Sequence, residues 1–239
     1  MANDYFRFKQ FIIRQDRCAM KVGTDGALLG AWVSADGCRS ILDAGTGTGL
    51  IALMLAQRNS EAAIDAIEID EDACSQAKEN AASSPFACRV CVICSSFCDY
   101  ASGTAARYDL VVSNPPYFVR SLKNPDPQRC IARHTDSLPL EDILSKGRGL
   151  LTPAGRIALI LPAGREEELK RIANVNGLYI TRRTAVVPLS GAGVKRILCE
   201  LSASCLHSSC ATDTLIIEEA SRRYSADYIK LMKDFYLSF

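Results

Sequence analysis

The chain has 239 residues, 48% of them hydrophobic and 23% charged, with a formal net charge of +1. These values belong to a globular protein with room for a full core. They exclude a global field that would draw in nucleic acid, and no apolar run reaches the roughly 18 residues of a membrane span.

The N-terminal stretch MANDYFRFKQFIIRQDR mixes charges with aromatics and lacks the apolar segment of a signal peptide. The expectation is a cytoplasmic protein without membrane contact. Its eleven cysteines then predict free thiols or metal ligands rather than a disulfide framework. With only two histidines, His134 and His207, histidine-based metal sites have little material.

From residue 40 onward the pattern alternates. Ser40 to Asp43 reads as a strand, Gly49 to Arg58 as a helix, Ala63 to Asp70 as a strand and Glu71 to Ser83 as an Ala-rich helix. Arg89 to Ser95 and Tyr108 to Ser113 read as strands, and Leu140 to Leu151 as a helix. Gly155 to Pro162 predicts a strand, Arg165 to Asn174 a helix, and Tyr179 to Pro188 and Arg196 to Ala203 two closing strands. Residues 204 to 213 are small and polar and predict a loop. Residues 214 to 239 predict a strand and an amphipathic helix with Tyr228, Leu231, Phe235 and Tyr236 on one stripe. Alternation of this kind packs as a mostly parallel sheet with helices on both faces. Ligands bind such a sheet at the carboxyl ends of its strands.

The first strand ends in Asp43-Ala-Gly45-Thr-Gly47-Thr-Gly49. Glycines at alternate positions let the backbone turn sharply against a ligand. The dinucleotide fingerprint G-x-G-x-x-G is broken, because Leu50 stands where its third glycine would be. Asp43 would repel a pyrophosphate and would suit an ammonium or sulfonium group, which points to S-adenosylmethionine (SAM) rather than NAD. Glu68 ends the next strand, where an acid can hold both ribose hydroxyls; Asp70 competes for that role.

The buried-type strand YDLVVS is stopped by Asn114-Pro115-Pro116-Tyr117. Two prolines make a rigid segment without donors. The Asn114 side-chain oxygen and the Pro115 carbonyl are left to accept the two N–H groups of a planar amine. Tyr117 could stack on the ring that carries it.

Together these motifs resemble the class I SAM-dependent methyltransferases that modify exocyclic or amide nitrogens. Phe6 to Trp32 (FRFKQFIIRQDRCAMKVGTDGALLGAW) and Arg222 to Leu237 (RRYSADYIKLMKDFYL) resemble the bacterial tRNA1(Val) N6-adenine methyltransferases, and the similarity runs over nearly the whole chain. The resemblance implies a Rossmann-like α/β fold with a seven-stranded, mostly parallel sheet. It implies one methyltransferase domain over 1–239, with 1–35 as a cover over the site and 214–239 as a strand–helix extension. It implies SAM-dependent methylation of an adenine in tRNA, at position 37 beside the anticodon. In that pattern Asp43 and the Gly45, Gly47 and Gly49 turn hold the methionine end of SAM, and Glu68 holds the ribose. Lys21 and a Thr24–Asp25 turn lie over the cofactor, and Asn114, Pro115 and Tyr117 position the amine. The acid expected to meet the cofactor adenine is replaced by Ser96, with Asp99 three residues on, so either residue is a candidate.

An RNA partner needs local positive charge. Arg7 and Lys9 near the N-terminus, Arg120, Lys123 and Arg133 after the Asn-Pro-Pro-Tyr motif, and Lys195 with Arg196 are the candidates. Phe6, Phe8 and Phe11 are expected to pack on the sheet more than to stack on bases. The anticodon stem-loop is the expected partner, with no obligate protein partner and no metal. The remaining alternatives are methylation of an rRNA guanine or adenine or of a protein glutamine, or a silent RNA-binding module.

A last alternative comes from CRVCVICSSFC (residues 88 to 98), whose cysteine spacing is that of an iron–sulfur ligand set. In a strand, Cys91 would face away from Cys88 and Cys94, so three ligands could not converge. These cysteines are expected to be small buried hydrophobes.

Overall fold

The computed structural model describes residues 3–18, 20–116, 138–204 and 210–239. The chain opens with β1 (Tyr5–Arg7) and β2 (Ile12–Arg14), an antiparallel hairpin apart from the main sheet. Then come α1 (Thr24–Trp32), β3 (Ser40–Ala44), α2 (Leu50–Arg58), β4 (Ala63–Glu68), α3 (Glu71–Ala82), β5 (Val90–Cys94), α4 (Phe97–Gly103) and β6 (Tyr108–Ser113). The second half holds α5 (Leu140–Leu150), β7 (Leu151–Pro162), α6 (Glu166–Val175), β8 (Tyr179–Leu189), β9 (Arg196–Ser202), β10 (Ala211–Ala220), β11 (Arg223–Tyr224) and α7 (Ala226–Met232).

The main sheet runs β11-β10-β8-β9-β7-β6-β3-β4-β5. Strands β5, β4, β3, β6 and β7 are mutually parallel, while β9 runs antiparallel between β7 and β8. The expected Rossmann-like sheet is present, but among the described residues it has nine strands rather than seven. Strand β10 pairs parallel to β8 from Ala211 to Glu218, and β11 folds back on it. It therefore starts inside the segment expected to be a loop. Its pairing covers an edge of β8 that would otherwise present unpaired backbone groups, a reason that local composition does not reveal.

The buried strands read as continuous apolar runs because both faces are covered. Period two then assigns each residue to a layer. Leu110 and Val112 of β6 and Ala158 and Ile160 of β7 face the core shared with α1, α2 and α7. Val111 of β6 and Ile157, Leu159 and Leu161 of β7 face the core shared with α4, α5 and α6. Helix α1 comes very close to α2, because a Cβ on Gly30 would lie 2.9 Å from the Met54 sulfur.

The two chain ends meet. Phe8 stacks on Phe11 at 4.7 Å between centroids, and both Phe6 and Phe8 lie 5.9 Å from Tyr236. Helix α7 ends at Met232, so Phe235 and Tyr236 of the expected stripe lie beyond it, with Phe235 buried. No helix among the described residues is long and apolar enough to cross a membrane.

The cysteine segment differs from expectation. Strand β5 is the sheet's outer edge, so Cys91 and Cys94 are exposed, as is Cys88 just before it, and Cys98 is half-buried. Edge position is set by strand order, and it removes the burial that the apolar composition predicts. Cys94 is disulfide-bonded to Cys74 of α3, with Cα atoms 5.7 Å apart, against the expectation of no disulfide. No group of three His, Cys, Asp or Glu side chains among the described residues is placed to hold a metal.

Candidate active site

The sheet's topology reverses at β3. The chain moves outward from β3 through β4 to β5, then returns to place β6 on β3's other side. Such a switch point opens a crevice at the carboxyl ends of the strands. Three expected motifs meet there: the glycine turn after β3, Glu68 ending β4, and Asn114-Pro115-Pro116 after β6.

The turn is built by positive φ. Gly45, Gly47 and Gly49 sit at φ 74°, 57° and 84°, a region that other residues rarely adopt. Gly49 is the N-cap of α2 and packs against Ala77 of α3, with a Cβ position 3.6 Å from the Ala77 Cβ. Amides of Gly45 and Thr46 both donate to the Ile67 carbonyl at 2.9 Å, which ties the turn to β4. The Ser113 hydroxyl donates to the Ala44 carbonyl at 2.7 Å and holds the end of β6 beside the start of the turn.

Asp43 lies beneath the turn with no solvent exposure. Its Oδ2 accepts from the Thr46 hydroxyl at 2.6 Å and the Ala52 amide at 3.1 Å, while Oδ1 is buried without a partner. Burial is the main cause that leaves its carboxyl pushed up to about 7. The Thr46 and Ala52 bonds work against that rise, and the nearby Glu68 charge adds to it. A buried acid with an orphaned oxygen calls for a cation, and the α-ammonium and sulfonium of SAM fit that demand.

Glu68 accepts from the Gly47 amide at 2.8 Å through Oε2, and from the Ile69 and Asp70 amides at 2.9 and 3.0 Å through Oε1. Oε1 thus has both lone pairs engaged, and Oε2 keeps lone-pair capacity for a hydroxyl donor. The competing Asp70 is instead the N-cap of α3, accepting from Ala73 at 2.7 Å. Ser96 and Asp99 act as a pair. Ser96 caps α4, its hydroxyl accepting from the Asp99 amide at 3.0 Å and donating to the Asp99 carboxylate at 2.6 Å. They follow β5, whose Cys94 is in register with Glu68.

Pro115 is buried, and Asn114 and Pro116 are half-buried. Tyr117, Arg120, Lys123 and Arg133 lie outside the described residues. Where description resumes, the Leu138 side chain lies 3.5 Å from a Cβ position on Gly45. Thr24 and Asp25 form the first turn of α1. That places Gly26 directly beside the site, because its Cβ position would be 3.2 Å from Leu50 Cδ2 and 3.8 Å from Asn114 Nδ2.

Several expected site residues are committed to long-range structure. Asp25 is ion-paired with Arg196 at 2.7 Å. The Lys21 ammonium is exposed and donates to the Asn3 carbonyl at 3.4 Å. Lys9, expected to face RNA, donates instead to the main-chain oxygens of Lys233 and Phe239 at 2.5 and 2.8 Å. It fastens the N-terminal segment to the C-terminal one. Lys195 is exposed in the turn between β8 and β9, and Arg7 is exposed on β1. Phe8 and Phe11 are buried, as expected.

Sequence reasoning passed over Asn80. Its carboxamide donates to the Arg14 and Thr48 carbonyls at 2.9 Å and accepts from the Arg14 amide at 2.9 Å. One buried side chain thus joins the N-terminal hairpin to the glycine turn. An amide within the Ala-rich helix EDACSQAKENAA was the available signal, and it pointed at no partner.

The fold and the crevice are those of a class I SAM-dependent methyltransferase. Residues 18–165 match the family model described as methyltransferase small domain. A predicted O-methyltransferase from Agrobacterium tumefaciens has a similar structure, with a TM-score of 0.67 at 19% identity over 88% of this chain and 96% of that one. A ribosomal protein L11 methylase from Lactobacillus delbrueckii gives 0.51 at 17% identity, over 74% of this chain and 76% of that one. Similarity in sequence is higher. A protein of Parabacteroides distasonis named tRNA1(Val) (adenine(37)-N6)-methyltransferase is 53% identical over 99% of each chain. One of the same name from Trichodesmium erythraeum is 47% identical over the full length of both. The chain belongs to the methyltransferase small domain family and, within it, to the family of these tRNA1(Val) (adenine(37)-N6)-methyltransferases.

Proposed function

We propose that this protein methylates N6 of an adenine in tRNA with SAM, at position 37 of tRNA1(Val), in the anticodon loop. The observation that carries this is near-complete alignment with relatives of that name at 46–53% identity. The placement of Asn114-Pro115 beside the glycine turn supports it.

SAM supplies an electrophilic methyl group on sulfur. Asp43, under the turn, faces its cationic end, Glu68 accepts from its ribose through Oε2, and Ser96 and Asp99 border its adenine. The Asn114 side-chain oxygen and the Pro115 carbonyl each accept one N–H of the target amine. Two such bonds favour a pyramidal nitrogen with a localised lone pair and aim it at the methyl carbon. The C–N bond forms as the C–S bond breaks, leaving S-adenosylhomocysteine, and the surplus proton passes to water after transfer. No strong base is needed beforehand, so positioning supplies much of the acceleration. Tyr117 stacks on the target base, Pro116 stiffens the segment, and residues 1–35 cover the site.

The test is incubation with labelled SAM and bulk tRNA from a strain lacking the enzyme, followed by mass spectrometry of nucleosides. N6-methyladenosine in tRNA1(Val) is the expected product. Its absence, or label in rRNA or protein glutamine instead, refutes the assignment.

A further inference from the structure

The N-terminal hairpin has two different faces. Its register pairs Tyr5 with Arg14, Phe6 with Ile13 and Arg7 with Ile12. The central pair faces inward: Ile13 is fully buried, and Phe6 packs on the aromatic cluster. That inner face suffices to hold the hairpin, since a two-stranded ribbon is stable only when packed on something. The other two pairs face outward, leaving Tyr5 53% and Ile12 45% exposed. Folding gives no reason for an exposed aromatic and isoleucine between two arginines.

The two arginines differ from their neighbours along the N-terminal segment. Lys9 is tied to main-chain oxygens and Arg17 to Glu79. The Arg7 and Arg14 guanidinium groups make no hydrogen bond or ion pair with the described residues. They occupy diagonal positions across the ribbon, roughly 7–8 Å apart, within reach of neighbouring phosphates of one strand. Both line a groove of about 1010 Å³ between the hairpin and the end of α3. Asp4 and Asp16 share the groove; Asp16 accepts from the Gln76 amide at 3.0 Å and feels the Arg14 charge.

We propose that this outer face, formed by Tyr5, Arg7, Ile12 and Arg14, is a docking ribbon for the tRNA substrate. The two guanidinium groups bind backbone phosphates, and Tyr5 stacks on an unpaired base. Asn80 holds the ribbon at a fixed distance from the glycine turn, so RNA bound here keeps its register with the reaction centre. The occupant as tRNA rests on the proposed function; the ribbon as an RNA surface rests on its own geometry.

The test is fluorescence anisotropy of a labelled tRNA1(Val) transcript across a salt series, read without turnover. Arg7→Ala/Arg14→Ala should weaken binding about tenfold and lower the slope of log affinity against log salt by about 2, one for each phosphate that is no longer neutralised. Tyr5→Ala should weaken it about tenfold, as expected for removing one stacked base. Arg7→Lys/Arg14→Lys should restore most of the salt slope, which a misfolded chain could not do. SAM affinity and Tm should stay at wild-type values in all variants. Affinity within twofold of wild type with an unchanged slope overturns the proposal. Wild-type protein that binds this tRNA through the ribbon but does not methylate it refutes the proposed function alone. Failure of the wild-type chain to bind tRNA refutes both.

Discussion

Asp43 offers a quantitative handle on cofactor recognition. In the ligand-free protein its carboxyl is pushed up to about 7, chiefly by burial. At that value roughly three-quarters of the molecules carry the carboxylate at pH 7.5 and about 3% at pH 5.5. The ligand's α-ammonium, titrating near 7.7–8.0, stays mostly charged across this window. If the cation binds the ionised form, SAM affinity should fall about 25-fold from pH 7.5 to pH 5.5. Calorimetry in two buffers of different ionisation enthalpy should show proton release at the lower pH. The sign for stability runs the other way. The folded value lies above the unfolded one, so the Asp43 contribution to stability is fully present below about pH 3.9 and is lost as pH rises through about 7. At pH 8 the ionised group costs the empty protein on the order of 4 kcal/mol. Asp43→Asn should therefore raise the Tm of the ligand-free protein at pH 8 but not at pH 4, while weakening SAM binding and flattening its pH dependence. A SAM Kd that is constant from pH 5.5 to 7.5, or an Asp43→Asn variant that keeps the slope, would refute the reasoning.

Asn114→Ala should abolish methyl transfer while leaving the SAM Kd within about twofold, the pattern of a group acting on the amine; loss of SAM binding would contradict its role. Gly26→Ala inserts a methyl 3.2 Å from Leu50 and 3.8 Å from the Asn114 amide. Helix propensity favours alanine by about 0.5–1 kcal/mol, while Leu50, directly after the glycine turn, must give by a few tenths of an ångström, so Tm should hold while SAM affinity falls; unchanged affinity would show that the turn does not depend on α1. Reducing the Cys74–Cys94 bond opens a 20-residue separation and should destabilise the protein by about 3 kcal/mol. Denaturant unfolding with and without reductant, with intact mass confirming reduction, checks this, and coincident curves would argue against it.

Much of the fold was legible because its signals are local. Alternation and continuous apolar runs marked β3 through β9, and the prolines at 115 and 116 ended β6 where expected. The glycine turn, Glu68 and Asn114 were legible for the same reason: each sits at a strand end, and parallel topology brings strand ends together. The helical start of α1 was missed because α1 is buried nearly all round, so it shows little amphipathic period.

What the sequence determined alone is the set of elements and the chemistry at their ends, since turn geometry, proline stiffness and side-chain alternation act over a few residues. Tertiary structure decided which groups are already committed. Lys9 is consumed by an oxygen 224 residues away, Arg196 by Asp25 across 171 residues, and on β5 Cys91 lies open while Cys94 is bonded to Cys74, because that strand is an edge. Charge pairing and burial depend on distance in space, and the strand order that sets those distances is not written in any one segment.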